Sequence, residues 1–373
     1  MFRTEIYRIL SRKVGVAAML AGLLLLLYMA MGITVWGEGL IDEGRIYYGA
    51  RAIARDKEIA AEFAGPLTED TVRAIWEKYG PPVNCAMRST TMESLRAAAA
   101  SGGNDNYCNR FVAEHFGTQV QGEDGRITYV LAEGWNESAC LDGTYIFGYA
   151  GTGTYWDRFL MAYVLAHISI IVLLSPVFSE DYAYRTADII LPTVNGRFIL
   201  WRRRMAVGCA LASACYLLAG GSIFLQHIAC YGTEGFGVSS RIAGMPMFFG
   251  KDYLPMGTAL RELYLCGWLS ALAVAVLTCS VSALCRQSFS SLVRSLLVYI
   301  GPYAFLRLVL DALPVGRVNA LLHYLCYSAP ISYPGTFSEA PGNARLLLTA
   351  MALAVTLSAA ALGAYRYCSH QVR

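Results

Sequence analysis

Charge is scarce in this chain. Only 15% of its 373 residues are Asp, Glu, Lys or Arg, against 56% hydrophobic residues, a balance too apolar for an ordinary soluble domain and consistent with a membrane protein. Histidine is rarer still: His115, His167, His227, His323 and His370 are scattered along the chain, and none lies in an HExxH or G-x-S-x-G setting, which removes the usual hydrolase and metalloprotease signatures. No CxxC is present, and no Cys/His spacing suggests a metal. The nearest approach to a phosphate loop, Gly244-Met-Pro-Met-Phe-Phe-Gly-Lys-Asp252, has five residues between its glycines instead of four and ends in Asp. The chain therefore reads as a protein without its own nucleotide-binding or catalytic motif, and any nucleotide that powers it belongs to another polypeptide.

What the chain does have is long uncharged runs. Val14 to Trp36, Phe159 to Phe178, Met205 to Gln226, Leu263 to Cys285 and Leu346 to Tyr365 carry no charged residue, and each is long enough to cross about 30 Å of hydrocarbon as a helix. A sixth stretch, 292–310, is bounded by Arg294 and Arg307, whose long side chains reach the interface from near its ends. Gly301-Pro302 predicts a kink there, and Arg307 with Asp311 has the spacing of a helical ion pair. The opening run is longer than a secretory h-region, so it reads as a retained first span, 14–36. Before it, residues 1–13 place Phe2, Ile6, Ile9 and Leu10 opposite Arg3, Arg8 and Arg12, the pattern of a short interfacial helix.

Six spans put both termini on one side of the membrane. With Met1 inside, the inner segments hold 13 Lys/Arg and the short outer loops 6, so both termini are expected in the cytoplasm and the chain in the plasma membrane. Residues 37–157 then lie outside. They carry 10 basic and 18 acidic side chains and are numerous enough to fold alone. Thr68 reads as the cap of a helix over Glu69–Tyr79, stopped by Gly80-Pro81; a second helix is predicted over 91–100, and strands over 126–131 and 143–149. The predicted architecture is an α-helical membrane protein, six transmembrane helices (about 14–36, 159–178, 205–226, 263–285, 292–310 and 346–365) with a small α+β extracellular domain between the first two. Of the cysteines in the outer segments, Cys85 and Cys108 are the candidate disulfide, with free thiols as the alternative. His167, the one ionisable group in the middle of a span, reads either as a satisfied interior histidine, with Ser169 or a neighbouring helix as acceptor, or as a contact on a translocation path. Small-residue stretches at Gly208–Ala214 and Ser358–Gly363 suit close helix packing.

The largest inner loop, 179–204, is patterned. Phe178, Tyr182, Ile189, Ile190 and Leu191 can form one apolar face of a short helix with Glu180, Asp181, Arg185 and Asp188 on the rest; acids come first and Arg202–Arg204 close it at the anionic leaflet. A helix this short is marginal in water unless a partner covers it.

Phe178-Ser-Glu180, Arg185-Thr-Ala-Asp-Ile-Ile-Leu191 and Asn195-Gly-Arg197 resemble the FSE, GTD-hydrophobic and small-Gly-Lys/Arg pattern that follows the second span in the type 2 ATP-binding-cassette (ABC) exporter permeases, in particular the Gram-positive subgroup with a large extracellular domain after the first span. Gly65-Pro-Leu-Thr-Glu69 and the 1 + 5 span layout are also similar. Two departures are Arg185, where such sequences usually have Gly, and Pro192-Thr-Val194 in place of a Ser-rich stretch. The resemblance implies a permease subunit that pairs with a second permease, as homodimer or heterodimer, and with separate ABC ATPase subunits that use ATP and Mg. This chain itself is expected to bind no cofactor, to act on no nucleic acid and to sit in the lipid bilayer. Phe178, Glu180, Arg185, Thr186, Asp188, Gly196 and Arg197 become the expected ATPase-coupling residues, and a re-entrant pair of helices is expected within 313–334. A membrane-anchored extracellular sensor or binding protein is the alternative from another class.

Overall fold

Proline and charge neutralisation set the ends of the helices over residues 155–231. The computed structural model describes residues 2–31, 35–83, 96–97, 99–121, 127–132, 145–151, 155–193, 196–240, 242–243, 254–313, 317–339 and 342–369. Five helices are long and apolar enough to cross a membrane, within Tyr155–Ala183, Phe198–Tyr231, Met256–Leu284, Ser288–Ala312 and Asn343–Cys368; a sixth is counted if Arg3–Leu10 and Gly15–Met29, bent by 78° to one another, make one span. The chain is a mostly helical, membrane-embedded protein. It divides into two compact units, one of residues 1–27, 159–223 and 261–373 and one of residues 28–158 and 224–260.

In the first unit, α1 (Phe2–Leu10) and α2 (Lys13–Ala30) open the chain; of the apolar face predicted for α1, Ile9 is fully buried but Leu10 is exposed, while Arg8, expected on the opposite face, turns inward to Asp181. The second span differs from its predicted bounds. Helix α6 (Tyr155–Leu174) is interrupted only at Ser175 and continues as α7 (Pro176–Ala183). Proline lacks an N–H and starts a helix easily at its first position, so the same residue both ends α6 and begins α7. A short turn, α8 (Ala187–Ile190), follows. The third span starts at Phe198, not Met205: α9 (Phe198–Tyr231) takes in Arg202, Arg203 and Arg204. The expected loop 179–204 is thus mostly helix, because its inner charges are paired instead of solvated. Helices α10 (Met256–Leu284) and α11 (Ser288–Leu308) follow, and α11 runs on through Pro302. Arg307 Nη1 meets Asp311 Oδ2 at 3.2 Å, as the i, i+4 spacing requires. Between α11 and the last helix, α14 (Gly342–Cys368), lie α12 (Arg317–Tyr327) and α13 (Tyr333–Glu339). Their junction is buried, and the Pro330 carbonyl accepts hydrogen bonds from Tyr163 and, at 2.9 Å, from Ser270.

The second unit is α+β, with three separate two-stranded antiparallel sheets among the described residues. β1 (Gly39–Asp42) and β2 (Arg45–Tyr48) form a hairpin closed by Glu43 and Gly44 at φ 49° and 74°, the pair of positive φ values that a type I′ turn needs. α3 (Ala50–Ala61) follows. β3 (Gly65–Pro66) pairs with β6 (Ile146–Phe147), and β4 (Gly117–Gln121) with β5 (Ile127–Leu131). Thr68 caps α4 (Glu69–Tyr79) by accepting from the Thr71 N–H, and Gly80 at φ 65° closes it, as the sequence predicts. α5 (Tyr107–Phe116) opens on an Asn106/Asn109 capping box. Leu40, Ile41, Ile53, Ile59, Val72, Ile75, Cys108, Val112 and Phe147 make the core. The helix predicted over 91–100 falls largely outside the described residues. This unit also takes in residues 224–260, largely the outer loop between the spans expected at 205–226 and 263–285.

One charged cluster lies inside this second unit. Asp56 Oδ1 accepts the Tyr107 N–H at 2.7 Å, and its Oδ2 lies 3.4 Å from Arg110 Nη2. Arg110 Nε also reaches Asp105 Oδ1 at 3.5 Å and donates to the Asn106 carbonyl at 3.2 Å. Burial raises the Asp56 carboxyl from the usual range to about 7, opposed by Arg110 and the Tyr107 N–H. Cys108 is a buried free thiol, and burial pushes it up, which keeps it protonated and inert. Its expected partner Cys85 lies outside the described residues.

Candidate functional site

An arginine at the start of a buried helix must find a carboxylate or cost several kcal/mol. Arg204 lies on the face of α9 that continues through Gly208, Ala212 and Cys215, and it is 2% exposed. It is paired bidentately with Asp181 of α7, through Nη1 to Oδ2 and through Nη2 to Oδ1 at 3.3 Å. Asp181 Oδ1 also receives Arg8 Nη1 from α1 at 3.2 Å. Glu5 closes a ring of alternating charge, with Oε2 at 3.1 Å from Arg8 and 3.4 Å from Arg204. Both arginines donate to the Val177 carbonyl, at 3.0 and 3.3 Å. One residue before Asp181, Glu180 pairs with Arg12. Three elements that are distant in sequence therefore meet on one turn of helix.

The same turn is packed on its apolar side. Phe178 is fully buried, with the Arg204 guanidinium 5.4 Å above its ring and Tyr367 edge-on at 4.9 Å. Of the expected coupling residues, Phe178 thus belongs to the interior of this unit, and Glu180 is held by Arg12. The surface tip is the next stretch. Tyr184 is 72% and Ile189 75% exposed, and Arg185 and Thr186 are exposed between them, while Leu191 is buried. The single apolar face predicted for 178–191 does not form, because Tyr184–Thr186 break the helix and turn Ile189 away from Phe178.

Arg185 has φ 57°, the left-handed region, which explains why glycine suits this position. We expect Arg185→Gly to relieve the strain and Arg185→Val to aggravate it, with about 1 to 2 kcal/mol between the two variants. Exchange protection of the Asp188 and Ile189 amides, which donate to Arg185 and Thr186, reads this directly. Glycine at 196 is enforced by contact: a Cβ there would sit 1.7 Å from the Ile190 carbonyl oxygen. Arg197 Nε donates to the Leu191 carbonyl at 3.4 Å, and Thr186 Oγ1 to that of Asp181 at 3.3 Å. Arg185, Thr186, Asp188, Gly196 and Arg197 are in this way brought to one end of the helix pair, beside the charge ring.

His167 sits elsewhere, fully buried in α6, with Nδ1 3.1 Å from the Tyr299 hydroxyl of α11 and its ring 4.1 Å from that of Tyr163. Ser169, its expected acceptor, donates instead to the Leu165 carbonyl one turn back. No group of three or more His, Cys, Asp or Glu is arranged to hold a metal ion among the described residues. Sequence reasoning missed Glu5, Arg8, Asp181 and Arg204 as a unit. The available signal was the phase of Arg204 with the small buried residues of its own helix, which places it inward, not at a lipid headgroup.

No family model, curated protein or solved structure matches the chain.

Proposed function

We propose that the protein is the membrane-spanning permease subunit of an ABC exporter, driven by a separate ATPase subunit and paired with a second permease copy or homologue. In this reading six spans place both termini in the cytoplasm, residues 37–157 lie outside the plasma membrane, and the exposed tip around Tyr184–Ile189 seats in the ATPase. The observation that supports it most is mechanical: a tip with exposed Tyr184 and Ile189 sits directly on a helical turn that α1 and α9 grip through buried ion pairs. A push on the tip is thereby delivered to two further helices instead of being lost in a loop. The motif resemblance at Phe178–Glu180, Arg185–Leu191 and Asn195–Arg197 points the same way. His167, between Tyr163 and Tyr299, is the ionisable side chain this reading places nearest a translocation path.

The test is gentle purification from the native membrane with identification of copurifying chains. A nucleotide-binding subunit is expected. Its absence, together with binding of an external ligand by the protein, would favour a membrane-anchored sensor. Glu180→Lys and Asp188→Arg are expected to abolish both ATPase binding and transport while the protein still accumulates in the membrane, and wild-type transport by both variants would sink the coupling role.

A further inference from the structure

The break between α6 and α7 leaves backbone groups that a helix would normally satisfy itself, and these lie in the interior of the unit. Ser175, Ser179, Ser282 and Ser291 are all buried there. Ser282, in the last turn of α10, uses its whole hydrogen-bonding capacity on this break. Its Oγ accepts the Phe178 and Ser179 amides, each at 3.0 Å, and donates to the Ser175 carbonyl at 2.6 Å. Ser291, in the first turn of α11, donates to the same carbonyl at 2.6 Å. Ser179 Oγ closes the cluster, 3.1 Å from the Ser175 carbonyl and 3.5 Å from Ser282 Oγ. A hydroxyl has one donor and two acceptor sites, so Ser282 is saturated by the break alone. Buried amides that lose such a partner pay their full desolvation cost.

From this we infer that Ser282 and Ser291 are positioning residues that clasp the Ser175–Ser179 break to α10 and α11, so that displacement of the tip carried by α7 is passed to those two helices. The ion pairs of Asp181 reach α1 and α9, and that of Glu180 the junction between α1 and α2; the serines reach α10 and α11. The tip is then joined to four helices through two unlike chemistries, charge on one side and hydroxyls on the other. The inference deepens the proposed coupling role and rests on it for its purpose, but the clasp itself is testable on the chain without any partner.

The full-length protein in lipid nanodiscs is compared by hydrogen exchange with its Ser282→Ala and Ser282→Thr variants. Ser282→Ala is expected to speed exchange of the Phe178 and Ser179 amides about fivefold to thirtyfold, and Ser282→Thr, which keeps the hydroxyl, to restore protection. Unchanged exchange in Ser282→Ala overturns the clasp. Transmission is read by loosening the tip with Asp181→Asn and following residues 285–291. Exchange there should rise at least threefold in the parent chain and less than half as much in the Ser282→Ala, Ser291→Ala background; equal increments in both overturn the inference. Should Ser282→Thr prove too large to fold, Ser291→Ala is the control: it removes a donor to the Ser175 carbonyl but no acceptor of the two amides, so exchange of Phe178 and Ser179 should rise less than in Ser282→Ala, and an equal rise overturns the clasp. A native membrane that yields no ATPase would sink the proposed function while leaving each of these outcomes decisive for the clasp.

Discussion

Replacing Asp181 by alanine should destabilise the membrane unit by about 3 to 5 kcal/mol, the usual cost of leaving a buried charge without its partner. Asp181 is 2% exposed and receives guanidinium groups from two elements, Arg204 and Arg8. Without it Arg204 keeps Glu5 at 3.4 Å as its one carboxylate and the Val177 carbonyl at 3.3 Å, and Arg8 keeps Glu5 and the same carbonyl. The gain from the pair is not what is lost; the stranded arginine is. The double variant Asp181→Leu, Arg204→Met should accordingly recover most of the loss, since exchanging a whole buried pair for apolar groups is close to neutral. Denaturation in mixed micelles, scored by cleavage of the loosened N-terminal helix, measures both. A double variant as unstable as Asp181→Ala would mean that packing around Phe178, not charge, holds this turn. Arg12→Ala, which frees Glu180 in a pair that is a fifth to a quarter exposed, should cost no more than about 1 kcal/mol.

The contrast between these two pairs also explains what the sequence revealed. The uncharged runs located four of the five long helices, and the stretch bounded by Arg294 and Arg307 located the fifth, because burial in lipid demands an apolar stretch of that length. They misplaced the helix ends, because an uncharged window stops at the first charge whether or not a partner neutralises it. Arg204 and Asp181 are 23 residues apart, and only the fold brings them together, so the second and third spans extend beyond their predicted limits. Helix α4 was legible down to its caps since Thr68 and Gly80 act locally. The β1–β2 hairpin was not, because Glu43 in a left-handed conformation is an unusual residue for its turn. At the candidate site, Gly196 and the residue preference at 185 were readable as motif, and the structure supplies their reasons in a forbidden Cβ and a positive φ. The serines at 175, 179, 282 and 291 carry no periodic or charge signal at all. Their role depends on where Pro176 leaves amides and a carbonyl unpaired, which is a property of the packed helices.

The second large effect is expected in the other unit, with pH. The Asp56 carboxyl is raised to about 7 chiefly by burial, with Glu38 and Asp105 adding to the rise and Arg110 and the Tyr107 amide opposing it. In the unfolded chain the same group titrates near 4. Between those values the folded protein holds a proton that the unfolded chain has released, so stability falls as pH rises. The contribution is fully present below about pH 4 and is lost as pH passes through about 7. At roughly 1.4 kcal/mol for each pH unit of difference, the drop across this window is about 2 to 4 kcal/mol. Asp105 is raised in the same sense, by burial against the pull of Arg110, and steepens it. Protection of the Tyr107 amide, which donates to Asp56 Oδ1, reports the change once intrinsic exchange chemistry is removed, and it should decline steadily from pH 5 to pH 8. Asp56→Asn keeps an acceptor for that amide and removes the titration, so its profile should be markedly flatter. The Arg110 guanidinium then retains Asp105 and the Asn106 carbonyl, which keeps the variant folded for the comparison. A parent chain whose protection stays level across that range would show that Arg110 and the Tyr107 amide, not burial, govern the Asp56 carboxyl.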